Sequence, residues 1–114
     1  MIVAVVGPCA AGKSTLVAAL RAAGYTVRHV AQEHSYVPDM WRRLAKPDVL
    51  IYLDATLDTI SQRQQVDWKQ KWLDVQVGRL GHARQHCDLY LATDGLTPEE
   101  IQAQVIAYLR GLET

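Results

Sequence analysis

The stretch IVAVVGPCAAGKST, residues 2–15, decides the fold of this chain. Its first five residues are all apolar and four of them are β-branched, which is typical of a strand buried on both faces of a parallel sheet. From Lys13 to Ala23 apolar residues recur at helical spacing, and Gly24 is a suitable helix end. The sequence therefore predicts a buried strand, a glycine-containing turn and a helix, in that order.

The rest of the chain alternates between strand and helix patterns in the same way. Val49–Leu53 and Leu89–Ala92 are apolar runs that predict two more buried strands, and the more polar run Tyr25–Val30 predicts an edge strand. Helical spacing connects Leu73, Val77, Leu80, Ala83 and Cys87, although Gly78 and Gly81 weaken that helix. A last helix is expected to begin at Thr97–Glu100, a capping box with proline in the first turn.

This alternation predicts an α/β fold of three layers, with helices on a small parallel sheet of about four strands. The length of 114 residues fits a single domain over residues 1–114. A formal net charge of zero argues against a nucleic-acid partner, and no apolar run approaches the length that crosses a membrane. Two cysteines are too few for a disulfide framework, so we expect a cytoplasmic protein.

The turn after the first strand has the spacing Gly7-x4-Gly12-Lys13-Ser14, which is the P-loop pattern in the context of a strand and a helix. Glycines let backbone N–H groups wrap a phosphate, and the helix N-terminus attracts the anion. A lysine can reach the β- and γ-phosphates of a nucleotide, and a serine hydroxyl suits Mg²⁺. The predicted cofactor-binding residues are Gly7, Pro8, Cys9, Ala10, Ala11, Gly12, Lys13, Ser14 and Thr15.

Two alternatives remain open at this loop. In the first alternative, the glycines only shape the turn between strand and helix, and the loop binds nothing. The thiol of Cys9 would have a lowered pKa at the helix N-terminus, which would make nucleotide binding sensitive to oxidation. Otherwise Cys9 is a small residue that fits the loop.

Three stretches resemble the small-molecule and nucleoside-monophosphate kinase branch of the P-loop NTPase superfamily: GPCAAGKST (7–15), PDVLIYLDATLDTISQR (47–63) and CDLYLATDGLTPEEIQAQVIAYL (87–109). The resemblance implies ATP and Mg²⁺ as cofactors and transfer of the γ-phosphoryl group to a small acceptor. It also implies that Arg63 corresponds to a lid arginine and that the loop within 87–109 approaches the adenine. Such kinases usually have five strands, and here one strand–helix unit of the acceptor site is missing between residues 31 and 48.

Phosphoryl transfer also needs a carboxylate and a cation near the transferring phosphate. Glu33 follows the second strand and is the predicted base or metal carboxylate, with a solvated loop as the alternative. Asp54 ends the third strand and would hold Mg²⁺, or would cap the helix that starts near Thr56. Arg63 is the predicted lid cation, with Lys69 or Lys71 as substitutes; otherwise this segment is an exposed basic helix.

Two weaker clusters complete the candidate sites. Trp41, Arg42 and Arg43 would suit an anionic or planar acceptor, or would form a short amphipathic helix. His82 and His86 have i, i+4 spacing beside Cys87, but a metal site with so few ligands has weak support.

The sequence thus predicts an ATP-dependent kinase with Lys13, Glu33 and Arg63 as catalytic residues and with Ser14 and Asp54 at the metal. The alternative is a nucleotide-binding regulatory or assembly module with little or no turnover. A half-covered sheet edge would allow a homodimer in either case.

Overall fold

The computed structural model of the chain describes residues 2–8, 11–30, 42, 47–64 and 70–113. Within these ranges strands and helices alternate along most of the chain, as the sequence patterns predict. Their order is β1 (Ile2–Val6), α1 (Lys13–Ala22), β2 (Thr26–His29), β3 (Val49–Asp54), α2 (Leu57–Gln64), α3 (Gln70–Arg79), α4 (Gly81–His86), β4 (Leu89–Ala92) and α5 (Pro98–Glu113).

The strands form a four-stranded sheet in the order β2-β1-β3-β4. Every neighbouring pair is parallel, with Val5 opposite both His29 and Ile51, and with Tyr52 opposite Tyr90. The α/β class and the small parallel sheet are therefore confirmed. The mixed strand β2 lies at one edge, as its polar residues predict. The prediction of a buried strand at Leu89–Ala92 is wrong, because β4 forms the other edge and its residues are partly buried or exposed.

The apolar core divides between the two faces of the sheet, because successive side chains of a strand point to opposite sides. On the first face Val3, Val5, Ile51 and Leu53 pack against residues of α1 and α5, among them Leu16, Leu20, Ile101, Val105 and Leu109. On the second face Ala4, Val6, Leu50 and Tyr52 pack against Leu80 and Ala83. Helical segments thus lie on both faces of the sheet, which is the layered arrangement that the alternating pattern predicts.

The helical spacing from Leu73 to Cys87 is realised as two helices, α3 and α4. The break falls at Leu80, whose backbone N–H donates to the carbonyl oxygens of Gln76 and Val77. Gly78 and Gly81 flank this break, which is consistent with the low helix propensity of glycine.

The capping box of α5 is confirmed. The backbone N–H of Thr97 donates to Glu100 Oε1, and the backbone N–H of Glu100 donates to Thr97 Oγ1, both at 3.2 Å. Neither α5, the longest helix described, nor any other helix in the described ranges has the length and apolar composition needed to cross a bilayer.

Candidate functional site

Three connections leave the carboxyl edge of the sheet close to one another, after β1, β3 and β4. The first of them starts at Gly7, whose φ angle of 154° is unfavourable for other residues. A Cβ atom at Gly7 would overlap the carbonyl oxygen of Leu53 at the end of β3. The loop therefore lies directly against β3, and only glycine can occupy its first position.

The loop ends at Gly12, which is the N-cap of α1 and has a left-handed conformation with φ 101°. The first turn of α1 has no acidic residue, and Ser14 and Thr15 are exposed there. Backbone N–H groups in a first helical turn have no acceptor within the helix, and the helix dipole adds positive potential. This end of α1 is therefore suited to an anion.

The side chain of Lys13 points back across the loop. Its Nζ donates a hydrogen bond of 2.6 Å to the carbonyl oxygen of Gly7, and the residue is only 6% exposed. A buried ammonium group needs partners with negative charge or oxygen atoms. The Lys13 ammonium group is thus placed against the Gly7 carbonyl at the start of the loop, and the residue belongs to the open end of the helix.

A cavity of about 280 Å³ adjoins the loop. It is lined by Gly12 and Thr15 from the start of α1, by Arg63 from α2, and by Leu16, Leu96, Pro98 and Ile101. Most of these side chains are apolar, and the guanidinium group of Arg63 is planar. The cavity is therefore suited to a flat, largely apolar group that is linked to an anion in the loop.

Arg63 is held in place by Thr93, the residue that follows β4. Its Nη1 donates to Thr93 Oγ1 at 3.0 Å, and its Nη2 donates to the Thr93 carbonyl oxygen at 2.7 Å. Thr93 is fully buried, and its hydroxyl lies 3.0 Å from the carbonyl oxygens of both Ala11 and Asp54. A single hydroxyl group therefore joins α2, the phosphate-loop candidate and the end of β3.

The carboxylate of Asp54 already has two hydrogen-bond donors. Its Oδ1 accepts from the backbone N–H of Ala55 at 2.9 Å, and its Oδ2 accepts from the hydroxyl of Tyr90. Each oxygen retains a lone pair, so contact with a metal through water remains compatible with this geometry. The helix start near Thr56 does not depend on Asp54, because Thr56 Oγ1 itself accepts from the N–H of Thr59 at 3.5 Å.

Asp94 supports the same helix start from the loop after β4. Its Oδ1 accepts from the backbone N–H and the hydroxyl of Thr56, both at 2.9 Å. Burial acts to raise the pKa of Asp94, but hydrogen bonds from Thr59 and Thr56 and the charge of Arg63 outweigh it. The pKa of Asp94 is therefore below its usual value, and the loop after β4 is connected to α2 at a second point.

On the second face of the sheet, Tyr90 stacks on Tyr52 with ring centroids 5.6 Å apart, and the guanidinium carbon of Arg84 lies 5.1 Å from the centroid of the Tyr90 ring. Burial, followed by the hydrogen bond to Asp54 and its charge, raises the pKa of Tyr90 to about 12. The hydroxyl of Tyr52 is buried and has no hydrogen-bond partner among the described residues. Asp54 thus belongs to an aromatic cluster of this face.

Several predicted site residues lie outside the described residues: Cys9, Ala10, Glu33, Trp41, Arg43 and Lys69. Arg42 and Lys71 are described and are exposed on helical backbone. The roles assigned to these six residues and to Arg42 and Lys71 stay predictions.

The rings of His82 and His86 stack with centroids 4.2 Å apart, and His86 Nδ1 hydrogen-bonds the carbonyl oxygen of His82. The thiol of Cys87 donates to the carbonyl oxygen of Arg84 at 3.2 Å. No group of three or more His, Cys, Asp or Glu side chains in the described ranges is placed to hold a metal ion. The weak support for a metal site at these histidines is not strengthened by the structure.

The structure adds to the candidate site five residues that the sequence patterns did not mark for it: Leu16, Thr93, Leu96, Pro98 and Ile101. Thr93 directly follows an apolar strand, and the ends of parallel strands meet at one edge, so its position carries a signal that could have been used. The sequence pattern around the helix cap predicts Leu96 and Ile101 as ordinary core residues, because a cavity wall has the same apolar pattern as a core.

The chain was compared with known proteins by sequence. It matches no protein-family model, and no curated protein is significantly similar to it.

Proposed function

We propose that this protein is a P-loop kinase that binds ATP with Mg²⁺ and transfers the γ-phosphoryl group to a small hydroxyl or phosphate acceptor. The observation that carries the proposal is that the loop and the cavity, the two halves of the proposed site, adjoin each other. The loop whose Gly7 carbonyl accepts from the Lys13 ammonium group shares Gly12 and Thr15 with the largely apolar cavity of about 280 Å³. A nucleoside triphosphate has the matching combination of a polyanion and a flat base.

In this proposal the phosphates occupy the loop from Gly7 to Thr15. Backbone N–H groups at the start of α1 bind the oxygens, and Lys13 exchanges its hydrogen bond with the Gly7 carbonyl for one with a phosphate oxygen. The exchange is favourable because a charge-assisted hydrogen bond to phosphate is stronger than one to a neutral carbonyl.

The base occupies the cavity beside Arg63. Leu96, Pro98 and Ile101 supply apolar contacts, and the guanidinium plane of Arg63 supplies a cationic wall for the aromatic ring. Nη1 and Nη2 both donate to Thr93, so the Arg63 side chain is fixed in position at the cavity. This supports Arg63 as a residue that contacts the base. The role of Arg63 as a lid cation over the transferring phosphate stays a prediction from the sequence and is not part of this proposal.

The Mg²⁺ that accompanies ATP would neutralise phosphate charge, and the exposed hydroxyl of Ser14 is the residue suited to hold it. Asp54 would act through water, because both of its oxygens already accept hydrogen bonds. Glu33 is assigned as the base that takes the proton of the acceptor hydroxyl, and this assignment rests on the sequence.

Titration calorimetry with ATP and Mg²⁺ tests the binding half of the proposal. We expect Lys13→Ala to weaken ATP binding by at least about tenfold, the loss of one charge-assisted interaction. The control is Arg110→Ala, which removes one positive charge from the exposed last turn of α5. Equal ATP affinity of the wild-type and Lys13→Ala proteins would exclude the loop as the phosphate site.

Turnover is tested separately by measuring ADP release with nucleosides, nucleoside monophosphates, sugars and shikimate-like acids as acceptors. Stimulation by one class identifies the acceptor, and Lys13→Ala must abolish it. If ATP binds but no acceptor class stimulates ADP release, the kinase hypothesis is rejected.

The second candidate function is a nucleotide-binding module without turnover. It is favoured by the direct pairing of β2 with β1 in the sheet, which has four strands among the described residues, where the kinases that the chain resembles usually have five. Such a module would bind ATP with the same dependence on Lys13 and would release no ADP, so the two experiments together separate the candidates.

A further inference from the structure

The hydroxyl of Thr93 stands between the two halves of the proposed nucleotide site. It accepts a hydrogen bond from Arg63, which lines the cavity, and it can donate its one proton toward the loop carbonyl of Ala11 or the Asp54 carbonyl. Thr93 is 0% exposed, so water does not compete for these contacts. These hydrogen bonds connect the two halves of the proposed site, because Arg63 lines the cavity and Ala11 belongs to the loop.

We infer that Thr93 is a positioning residue that couples the base cavity to the phosphate loop. The inference rests on the proposed function and deepens it, because it assigns the energetic link between base and phosphate recognition to one side chain. Arg63 fixes the orientation of the Thr93 hydroxyl by donating to it, and this leaves the hydroxyl proton for the carbonyl groups. Hydrogen bonds in such a chain polarise and strengthen one another.

The consequence is that Arg63 influences phosphate affinity without touching phosphate. When Arg63 is removed, the Thr93 hydroxyl is free to rotate away from Ala11, and the loop carbonyl immediately before Gly12 loses its donor. Inorganic tripolyphosphate has no base, so it reports on the loop alone.

The test is a double-mutant cycle on the affinity of tripolyphosphate, with ATP measured in parallel. Thr93→Val removes the hydroxyl at similar volume, and Arg63→Met removes the guanidinium group. We expect each variant to weaken tripolyphosphate binding about three- to tenfold, as for the loss of one hydrogen bond, and the double variant to be no weaker than Thr93→Val alone. Thr26→Val, at an exposed position of β2, is the matched control.

Two conservative variants separate positioning from general structural support. Thr93→Ser keeps the hydroxyl and is expected to restore most of the tripolyphosphate affinity that Thr93→Val loses. Arg63→Lys keeps the positive charge but cannot form both hydrogen bonds to Thr93, so we expect it to lower tripolyphosphate affinity as much as Arg63→Met does. Arg63 lies at an exposed position of α2, so its variants keep the test available even if Thr93→Val fails to fold.

Three outcomes would overturn the inference. Losses that multiply in the double variant would show that Arg63 and Thr93 act independently, and wild-type affinity in Arg63→Lys would show that charge alone matters. Unchanged tripolyphosphate affinity in Thr93→Val would show that the hydroxyl does not position the loop. In all three cases the wild type still binds ATP, whereas failure of the wild type to bind ATP or tripolyphosphate would refute the proposed function as well.

Discussion

The two faces of the sheet carry different polar structures at the same carboxyl edge. On the first face, which α1 and α5 cover, backbone carbonyls, Lys13 and the pair Arg63 and Thr93 surround a loop and a cavity. On the second face, Tyr52 and Tyr90 stack beside Asp54, and there is an unpartnered hydroxyl among the described residues. The same sheet edge thus adjoins a cavity on the first face, whereas aromatic rings pack beside it on the second face.

The largest effect is expected from Gly7→Ala, which would remove the geometry of the first face altogether. The added Cβ overlaps the Leu53 carbonyl, and the φ angle of 154° is strained for alanine. We expect a loss of at least about 3 kcal/mol in the free energy of unfolding, measured with urea, and a loss of ATP binding.

The matched control for this substitution is Gly78→Ala in α3, where a Cβ atom has open space. That variant is expected to gain about 0.5–1 kcal/mol, because alanine favours a helix more than glycine does. A Gly7→Ala protein as stable as the wild type would mean that the loop does not lie against β3.

On the second face, Tyr90→Phe keeps the ring and removes the hydrogen bond to Asp54. We expect about 1–2 kcal/mol lower stability at pH 7, at the low end for a bond to a charged group because Tyr90 is 42% exposed. Tyr25→Phe, near the opposite edge of the sheet, is the control for the substitution itself.

The same bond makes wild-type stability depend on pH above 10. The pKa of Tyr90 is raised to about 12 in the folded protein, so its contribution is complete below the ordinary value of 10.0 and is lost as pH rises toward 12. The stability difference between wild type and Tyr90→Phe should therefore shrink across this window. A difference that is constant from pH 9 to 12 would contradict the bond.

Tyr52→Phe is expected to have the opposite sign from Tyr90→Phe, although the two rings stack on each other. Removing a buried hydroxyl that has no partner in the described part of the chain relieves its desolvation cost, so stability should rise by up to about 1 kcal/mol. Urea unfolding of both variants gives the comparison directly. A clear loss of stability in Tyr52→Phe would indicate that its hydroxyl has a partner in solution.

The smallest effect is expected from Asp94→Asn, at the boundary of the first face. Asp94 is exposed, so solvent screening limits its contribution to a few tenths of a kcal/mol. Because the pKa of Asp94 in the folded protein lies below its ordinary value of 3.8, this stabilisation is present above pH 3.8 and is lost as pH falls through the folded pKa. Thermal unfolding should show a larger difference between wild type and Asp94→Asn at pH 7 than at pH 2.5.

Much of the local architecture was predictable because its causes lie within a few residues. The strands β1 and β4 have the predicted bounds, β2 lies at the edge, and α5 begins at the predicted capping box. The flanking glycines indicated a weakened helix, but they did not place a break at Leu80, because helical spacing continues across that residue. The contact of Arg63 with Thr93 joins residues 30 apart in sequence, and no local pattern reports such a pair.

By itself, the sequence determined the strand–loop–helix order and the small parallel sheet, and it marked Gly7, Gly12 and Lys13 as an anion-binding pattern. These follow from periodicity and backbone conformation, which neighbouring residues set. Only the tertiary structure decided that Gly7 meets Leu53, that Thr93 reaches Ala11, and that Asp54 pairs with Tyr90. Those contacts depend on strand order and register, which place distant residues side by side once β1 lies next to β3 and β3 next to β4.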